Sequence, residues 1–210
     1  MITVIDYGAG NLRSVCLALE SIDIPWKISS EPDEILSADR VIFPGVGAAA
    51  SAVKVLKEKG LEQSIKQFID SGKPFLGICL GTQIIFDYSE EDQGTECLGL
   101  IPGKVIHFEF PEDEKKSVPH MGWNQVNFTK KHPIFEDIED AANFYFVHSY
   151  YPCPDDESME MATTNYGSID FTCAITKDNL VATQFHPEKS GRHGLQLLEN
   201  FSTWDGTYNA

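Results

Sequence analysis

Residues 73–86, KPFLGICLGTQIIF, constrain the fold of this chain more than any other stretch. Residues 74–78 are short and apolar and open with a proline, a pattern typical of a buried strand. Residues 80–86 carry apolar side chains at helical spacing, so a helix is predicted directly after the strand. Cys79 stands between the two, flanked by Gly77 and Gly81. This is the G-x-nucleophile-x-G elbow, in which a sharp strand-to-helix turn presents a nucleophile and the glycines prevent clashes around it.

A thiol at this turn can be a nucleophile, because unpaired N–H groups at a helix start favour the thiolate. The alternative interpretation is a buried core cysteine, since free cysteine is among the most buried residue types. A nucleophilic thiol also needs a base, and His186 and Glu188 follow a second apolar strand. Histidine can take the proton while a carboxylate holds its tautomer, and in an extended segment the two side chains would point to the same side.

The remaining pattern predicts an α/β fold with one domain over residues 1–210. Strands are predicted at 2–5, 26–29, 41–43 and 74–78, alternating with helices at 12–22, 48–56 and 61–69. Such alternation indicates a mostly parallel sheet with helices on both faces and active residues at the carboxyl ends of the strands. The second half suggests added antiparallel strands at 105–108, 125–128, 144–147, 160–164, 172–176 and 181–185, followed by a helix at 194–201.

Composition excludes several classes of function. A net charge of −16 argues against a nucleic-acid or anionic-membrane partner, and no apolar run is long enough to span a membrane. Acidic clusters such as residues 90–92 are interpreted as solvated loops. Five scattered cysteines without a CxxC pair suggest a reducing, cytoplasmic compartment and no metal site. No cofactor is predicted, because Arg13 interrupts a dinucleotide-binding G-x-G-x-x-G and a Walker A pattern is absent.

Several further motifs carry a family resemblance. The segments GICLGTQ (77–83) and FHPE (185–188) resemble the class I (triad) glutamine amidotransferases. Within that superfamily, the chain resembles the glutaminase subunits of imidazole glycerol phosphate synthases. The segments that carry this closer resemblance are DYGAGN (6–11), PGVG (44–47), PHMGWN (119–124), YFVHSY (145–150) and PEKS (187–190).

The resemblance implies a flavodoxin-like fold and a role for each site residue. Cys79 would attack the side-chain amide of glutamine, His186 would act as general base and acid, and Glu188 would orient His186. The oxyanion would be bound by the backbone N–H of Leu80 and one N–H from the 44–47 turn, at Val46 or Gly47. Gln83, Ser149 and Tyr150 match positions that hold the α-amino and carboxylate groups of glutamine.

The resemblance also implies a partner, a (β/α)8-barrel cyclase subunit of the histidine biosynthesis pathway, forming a heterodimer. Ammonia is mostly protonated in neutral water, so it must pass directly to a second site, and this chain leaves no sequence for a synthase. Asn11, Met121, Trp123 and Lys189 are the predicted contact residues, although a buried Trp123 is the alternative. Two glycines in the 44–47 turn would let a peptide point either its carbonyl or its N–H at the oxyanion, which predicts a glutaminase that the partner switches on.

Three alternative functions remain open on the sequence alone. A paralogous amidotransferase subunit could supply ammonia to another synthase. A stand-alone Cys-His-Glu hydrolase could use the same elbow without a partner. A non-catalytic regulatory subunit is the third possibility, against which the complete Cys-His-Glu set argues.

Overall fold

A computed structural model describes residues 1–8 and 12–208 of the chain. Its strands are β1 (Ile2–Ile5), β2 (Trp26–Ser29), β3 (Arg40–Gly45), β4 (Phe75–Cys79), β5 (Phe86–Ser89), β6 (Thr95–Glu96), β7 (Ile101–His107), β8 (His120–Phe128), β9 (Ala142–His148), β10 (Tyr150–Pro154), β11 (Glu160–Tyr166), β12 (Ile169–Lys177) and β13 (Leu180–Thr183). Its helices are α1 (Leu12–Ser21), α2 (Pro32–Ser37), α3 (Ala49–Glu58), α4 (Leu61–Asp70), α5 (Leu80–Gln83) and α6 (Gly191–Thr203).

The main sheet has nine strands in the order β2-β1-β3-β4-β13-β12-β11-β8-β9. The first five are parallel, and this order is the doubly wound, flavodoxin-like one. The remaining strands are antiparallel to their neighbours, as the sequence predicted. A second sheet of four strands, β10-β7-β5-β6, lies beside the first.

Two apolar clusters cover opposite faces of the main sheet. The first joins α1 and α6 to the sheet through residues such as Val15, Leu19 and Leu198. The second joins α2, α3 and α4 through residues such as Ile35 and Phe68. Burial on both faces explains why the parallel strands read as continuous apolar runs. Among the described residues, no helix is both long enough and apolar enough to cross a bilayer.

The helix predicted for residues 80–86 is wrong beyond its first turn. α5 ends at Gln83, and β5 begins at Phe86. The carbonyls of Ile84, Ile85 and Phe86 accept hydrogen bonds from backbone N–H groups of residues 98–101 at 2.9–3.0 Å. These pairings with a distant segment replace the i→i+4 ladder that the apolar spacing suggested, so tertiary structure overrides local propensity here.

Candidate active site

The elbow around Cys79 is formed by an unusual backbone conformation. Cys79 has φ 55° and ψ −108°, which is a strained combination for a residue with a side chain. The flanking glycines are required by close approach: a Cβ at Gly81 would clash with the Phe43 carbonyl oxygen, and one at Gly77 would lie 3.1 Å from the Ala182 Cβ. The strand-to-helix turn is therefore tight on both sides, and it holds the thiol at the carboxyl end of β4.

The predicted base lies next to this turn because β13 pairs with β4 in parallel, with Thr183 opposite Ile78. His186 follows three residues after β13, and its Nδ1 lies 2.8 Å from Glu188 Oε1. Both side chains are buried. The extended geometry predicted for 186–188 is wrong, since residues 187–189 form a 3₁₀ turn that brings the carboxylate back under the imidazole.

The charges of the neighbours decide the protonation of His186. Burial lowers the pKa of His186, but the negative charges of Cys79 and Glu188 outweigh it and raise the pKa to about 10. The Nε2 atom is buried and makes no hydrogen bond of normal geometry among the described residues. With Nδ1 engaged by Glu188, Nε2 is the nitrogen that can exchange a proton with the thiol.

A pocket of about 320 Å³ opens over the thiol. Most of the predicted site residues line it, and the lining consists of Val46, Gly47, Cys79, Leu80, Gln83, Glu91, Pro119, Val147, His148, Ser149 and Tyr150. Gly47 has φ +106°, a value that favours glycine, so the turn after β3 depends on it. The hydroxyl of Tyr7 is buried beneath this turn, where burial and then the charge of Cys79 raise its pKa.

The family model for glutamine amidotransferase class-I matches residues 3–203, which include the elbow, the base and the pocket. The chain belongs to the class-I glutamine amidotransferase family.

Curated relatives of this amidotransferase carry a more specific name. The imidazole glycerol phosphate synthase subunit HisH of Dehalococcoides mccartyi is 49% identical over 201 residues, covering 96% of this chain and 96% of the relative. The subunit of the same name from Nitrosococcus oceani is 47% identical over 207 residues, 98% of each chain.

Solved structures of distant relatives share the fold. The PurLQS structure from Thermotoga maritima aligns with a TM-score of 0.72 at 16% identity over 95% of this chain and 96% of that chain. A glutamine amidotransferase from the same organism aligns with a TM-score of 0.65 at 16% identity, covering 95% of this chain and 81% of that one. At these identities the likeness concerns the fold alone.

Two titratable residues that line the amidotransferase pocket were missed by the sequence reasoning. Glu91 lies in the acidic cluster that was interpreted as a solvated loop, yet it is half-buried, and its Oε2 accepts a hydrogen bond of 2.7 Å from the Ala49 N–H. Burial raises the pKa of Glu91, while that hydrogen bond opposes the rise. His148 is buried at the end of β9. Its position directly before Ser149 was the signal available in the sequence.

Two of the predicted contact residues of the amidotransferase, Met121 and Trp123, form an exposed patch, with the half-buried Lys189 close to it. Met121 is 62% and Trp123 57% exposed, which makes the core interpretation of Trp123 wrong. The rings of Trp123 and Tyr145 make an edge-to-face contact with 6.1 Å between centroids. The Lys189 Nζ lies 5.9 Å from the centroid of the Tyr145 ring. Asn11 lies outside the described residues.

Outside the pocket, two further features bear on the predictions, a larger groove and the arrangement of possible metal ligands. A larger groove of about 890 Å³ runs beside Lys131 and Tyr208 and contains none of the predicted site residues. Within residues 1–8 and 12–208, no group of three or more His, Cys, Asp or Glu side chains is arranged to hold a metal ion.

Proposed function

We propose that this amidotransferase is the glutaminase subunit of an imidazole glycerol phosphate synthase, with residues 1–210 forming one catalytic domain. The observation that carries the proposal is the strained Cys79 at the floor of a small pocket, beside a buried His186–Glu188 pair. The names of the curated relatives support the choice of synthase. All five cysteine thiols are free, which is consistent with the reducing cytoplasm where we place the enzyme.

The reaction follows from the arrangement of these groups. The Cys79 sulfur attacks the side-chain carbonyl carbon of glutamine, and the imidazolium of His186 gives its proton to the departing amide nitrogen, which leaves as ammonia. His186 then takes a proton from water, whose oxygen attacks the γ-glutamyl thioester. The carbon–sulfur bond breaks, glutamate is released and the Cys79–His186 pair is restored. Glu188 holds the imidazole so that Nε2 faces the sulfur throughout.

Charge complementarity supports the orientation of glutamine in the pocket. Among the described residues that line it, Glu91 is the only acidic one, and we place the α-ammonium group of the substrate near its carboxylate. The polar groups of Gln83, Ser149 and Tyr150 border the same space and complete the site for the α-amino and carboxylate groups. The developing oxyanion is assigned to the N–H of Leu80 and one N–H of the Val46–Gly47 turn.

The partner in this proposal is a (β/α)8-barrel cyclase subunit that docks on Met121, Trp123 and Lys189, with Asn11 as a further contact. Exposure of two large apolar side chains side by side on one strand supports this assignment, because aromatic and methionine side chains are enriched in interface cores. A heterodimer would shield ammonia on its way to the cyclase. The complex would then act as a lyase and synthase in histidine biosynthesis.

The test is reconstitution with the cyclase subunit. The complex should convert glutamine to glutamate in step with the cyclase's nucleotide substrate. Trp123→Ala and Met121→Ala should each weaken the complex by about tenfold or more, while Ile28→Ala, which truncates an exposed apolar residue on β2, should not. Coupling only to a different synthase would indicate a paralogue, and full turnover without any partner would indicate a stand-alone hydrolase.

A further inference from the structure

Two buried histidines stand at the glutamine pocket, where His148 belongs to the lining and His120 packs behind it, and the proposed mechanism uses neither. They face each other across β8 and β9, where His120 is the register partner of His148. The His120 Nδ1 lies 3.0 Å from the His148 Nε2. Both side chains are almost fully buried, so the contact is shielded from water.

The direction of each hydrogen bond follows from the groups at the ends. The Tyr150 carbonyl can only accept, so the His148 Nδ1, 2.7 Å away, carries the proton. The neutral ring then accepts at Nε2, and His120 must donate from Nδ1. The His120 Nε2 in turn accepts from the Asn124 amide at 3.3 Å. Burial lowers the pKa of His120 to about 4 and that of His148 to about 3, which keeps both rings neutral.

Aromatic contacts fix the plane of the His120 ring. His120 is stacked between Tyr166, at 4.1 Å between centroids, and Phe146, at 4.8 Å. The Tyr166 hydroxyl donates to the Ser117 carbonyl at 2.8 Å, which ties the segment before β8 to the same stack. The His120 ring therefore has little freedom to rotate away from His148.

The same chain of hydrogen bonds ends in the pocket. The Tyr150 carbonyl accepts from the Gln83 Nε2 at 2.9 Å as well as from His148. The Gln83 Nε2 also donates to the Gln184 Oε1 at 3.0 Å, so both of its protons are used. The remaining polar atom of this side chain is Oε1, an acceptor suited to an ammonium group.

We propose that His120 and His148 are positioning residues that set the affinity for glutamine. They hold the Tyr150 carbonyl in place, and this carbonyl orients the Gln83 amide so that its oxygen is presented to the α-ammonium group of the substrate. His120 does not line the pocket, so its effect passes through His148 and Tyr150. This inference rests on the proposed function.

The experiment measures KM for L-glutamine and kcat in the complex with the cyclase subunit and its nucleotide substrate. His120→Leu removes the donor to His148, whereas His120→Asn keeps an N–H donor close to the position of Nδ1. We expect a KM about tenfold higher for His120→Leu, the effect of one ordinary hydrogen bond on affinity, with kcat within about twofold. His120→Asn should remain within about twofold of the unmodified protein in both constants.

A matched control distinguishes positioning from general destabilisation. His132 is also a buried histidine with a hydrogen bond, from the Ile134 N–H to its Nδ1 at 3.2 Å, but it lies away from the pocket. His132→Leu should lower the unfolding temperature as His120→Leu does and leave KM unchanged. An unchanged KM in His120→Leu, a KM for His120→Asn as high as for His120→Leu, or an equal rise in His132→Leu would overturn the proposal.

A second pair of variants decides the matter if His120→Leu does not fold. His148→Asn keeps a donor near Nδ1, while His148→Gln places its donor near Nε2, away from the Tyr150 carbonyl. A KM at least fivefold higher for His148→Gln than for His148→Asn supports the proposal, and equal values overturn it. If the unmodified complex hydrolyses no glutamine, it is the proposed function that fails.

Discussion

At the scale of single residues, Cys79 differs from the other four cysteines in its backbone and its neighbours. Cys16 and Cys173 are buried among apolar side chains, and burial raises the pKa of each thiol. Cys153 is exposed on β10, outside the pocket that holds Cys79. Cys79 alone combines a strained turn, a pocket and an adjacent imidazole among the described residues.

Cys79→Ala should abolish glutamine hydrolysis while leaving the fold intact. The alanine removes the nucleophile but keeps a Cβ at the strained position, and the cyclase should still work with free ammonium salts. The measurement is glutamate release and, in parallel, ammonium-dependent product formation. Cys97→Ala is the control, because burial, and then the charges of Glu96 and Glu91, raise the pKa of Cys97 to about 11, which disfavours the thiolate. Retained glutamine use in Cys79→Ala, or equal loss in Cys97→Ala, contradicts the assignment.

Substitutions of His186 and of Glu188 should differ in their effect on kcat. His186→Asn removes the group that exchanges the proton and should reduce kcat by about 10²–10⁴-fold. Glu188→Gln keeps a hydrogen-bonding side chain under the imidazole and should reduce kcat by a smaller factor. Steady-state kinetics of the two folded variants provide the comparison. A larger loss in Glu188→Gln than in His186→Asn would show that the roles are assigned wrongly.

Sequence reasoning finds the triad because each part lies in a local pattern. The elbow spans five residues, and His186 and Glu188 are two residues apart. Glu91 and His148 are different, since each acquires its place from a distant segment: Glu91 from the start of α3, and His148 from a strand 28 positions away. No local spacing in the sequence distinguishes a carboxylate that lines a pocket, such as that of Glu91, from a carboxylate in a solvated loop. Their roles become visible only when the strands are in register.

At the scale of elements, the elbow shows where periodicity misleads. α5 has a single turn, so the dipole of a long helix cannot be what prepares the thiol. The apolar residues that follow are buried because they join β5 and the second sheet. Hydrophobic patterning located the strands of the main sheet, but it cannot distinguish a buried helix from a buried strand over such a short run.

The turn after β3 leads to a prediction about regulation. Val46 and Gly47 line the pocket, and the positive φ of Gly47 lets the peptide between them adopt either orientation. A missing oxyanion donor costs roughly 10²–10³-fold in rate. We therefore expect glutaminase activity to rise at least tenfold when the cyclase subunit and its nucleotide substrate are added. Equal rates of glutamine hydrolysis for the isolated subunit and the complex would refute this regulation by the partner.

At the scale of the whole molecule, buried histidines make stability depend on pH. Burial lowers the pKa of His120 and His132 to about 4 and that of His148 to about 3, below the ordinary value of 6.5. The unfolded chain therefore binds protons that the folded chain does not, and stability falls as pH drops from about 6.5 towards 4. Denaturant unfolding should show a loss on the order of 1–2 kcal/mol per histidine between pH 7 and 5.

His186 affects the pH dependence of stability in the opposite direction. Its pKa is raised to about 10 in the folded state, so its stabilising charge is complete below about pH 6.5 and is lost as pH rises towards 10. His186→Asn should accordingly flatten the alkaline side of the stability profile and leave the acid side unchanged. His132→Asn should flatten only the acid side. The same dependence in both variants would contradict these pKa directions.

The strand order has a consequence for the growing polypeptide. Cys79 ends β4, and the segment that carries its base follows β13, the strand next to β4 in the sheet. The two are far apart along the chain, since Gln184, two residues before the base, is 105 positions from Cys79. On the ribosome the nucleophile emerges well before β13, which must then insert between β4 and β12. A nascent chain that ends before residue 186 therefore holds the nucleophile without its base. We therefore expect such partly translated chains to spare glutamine, because β13 brings the base to the nucleophile.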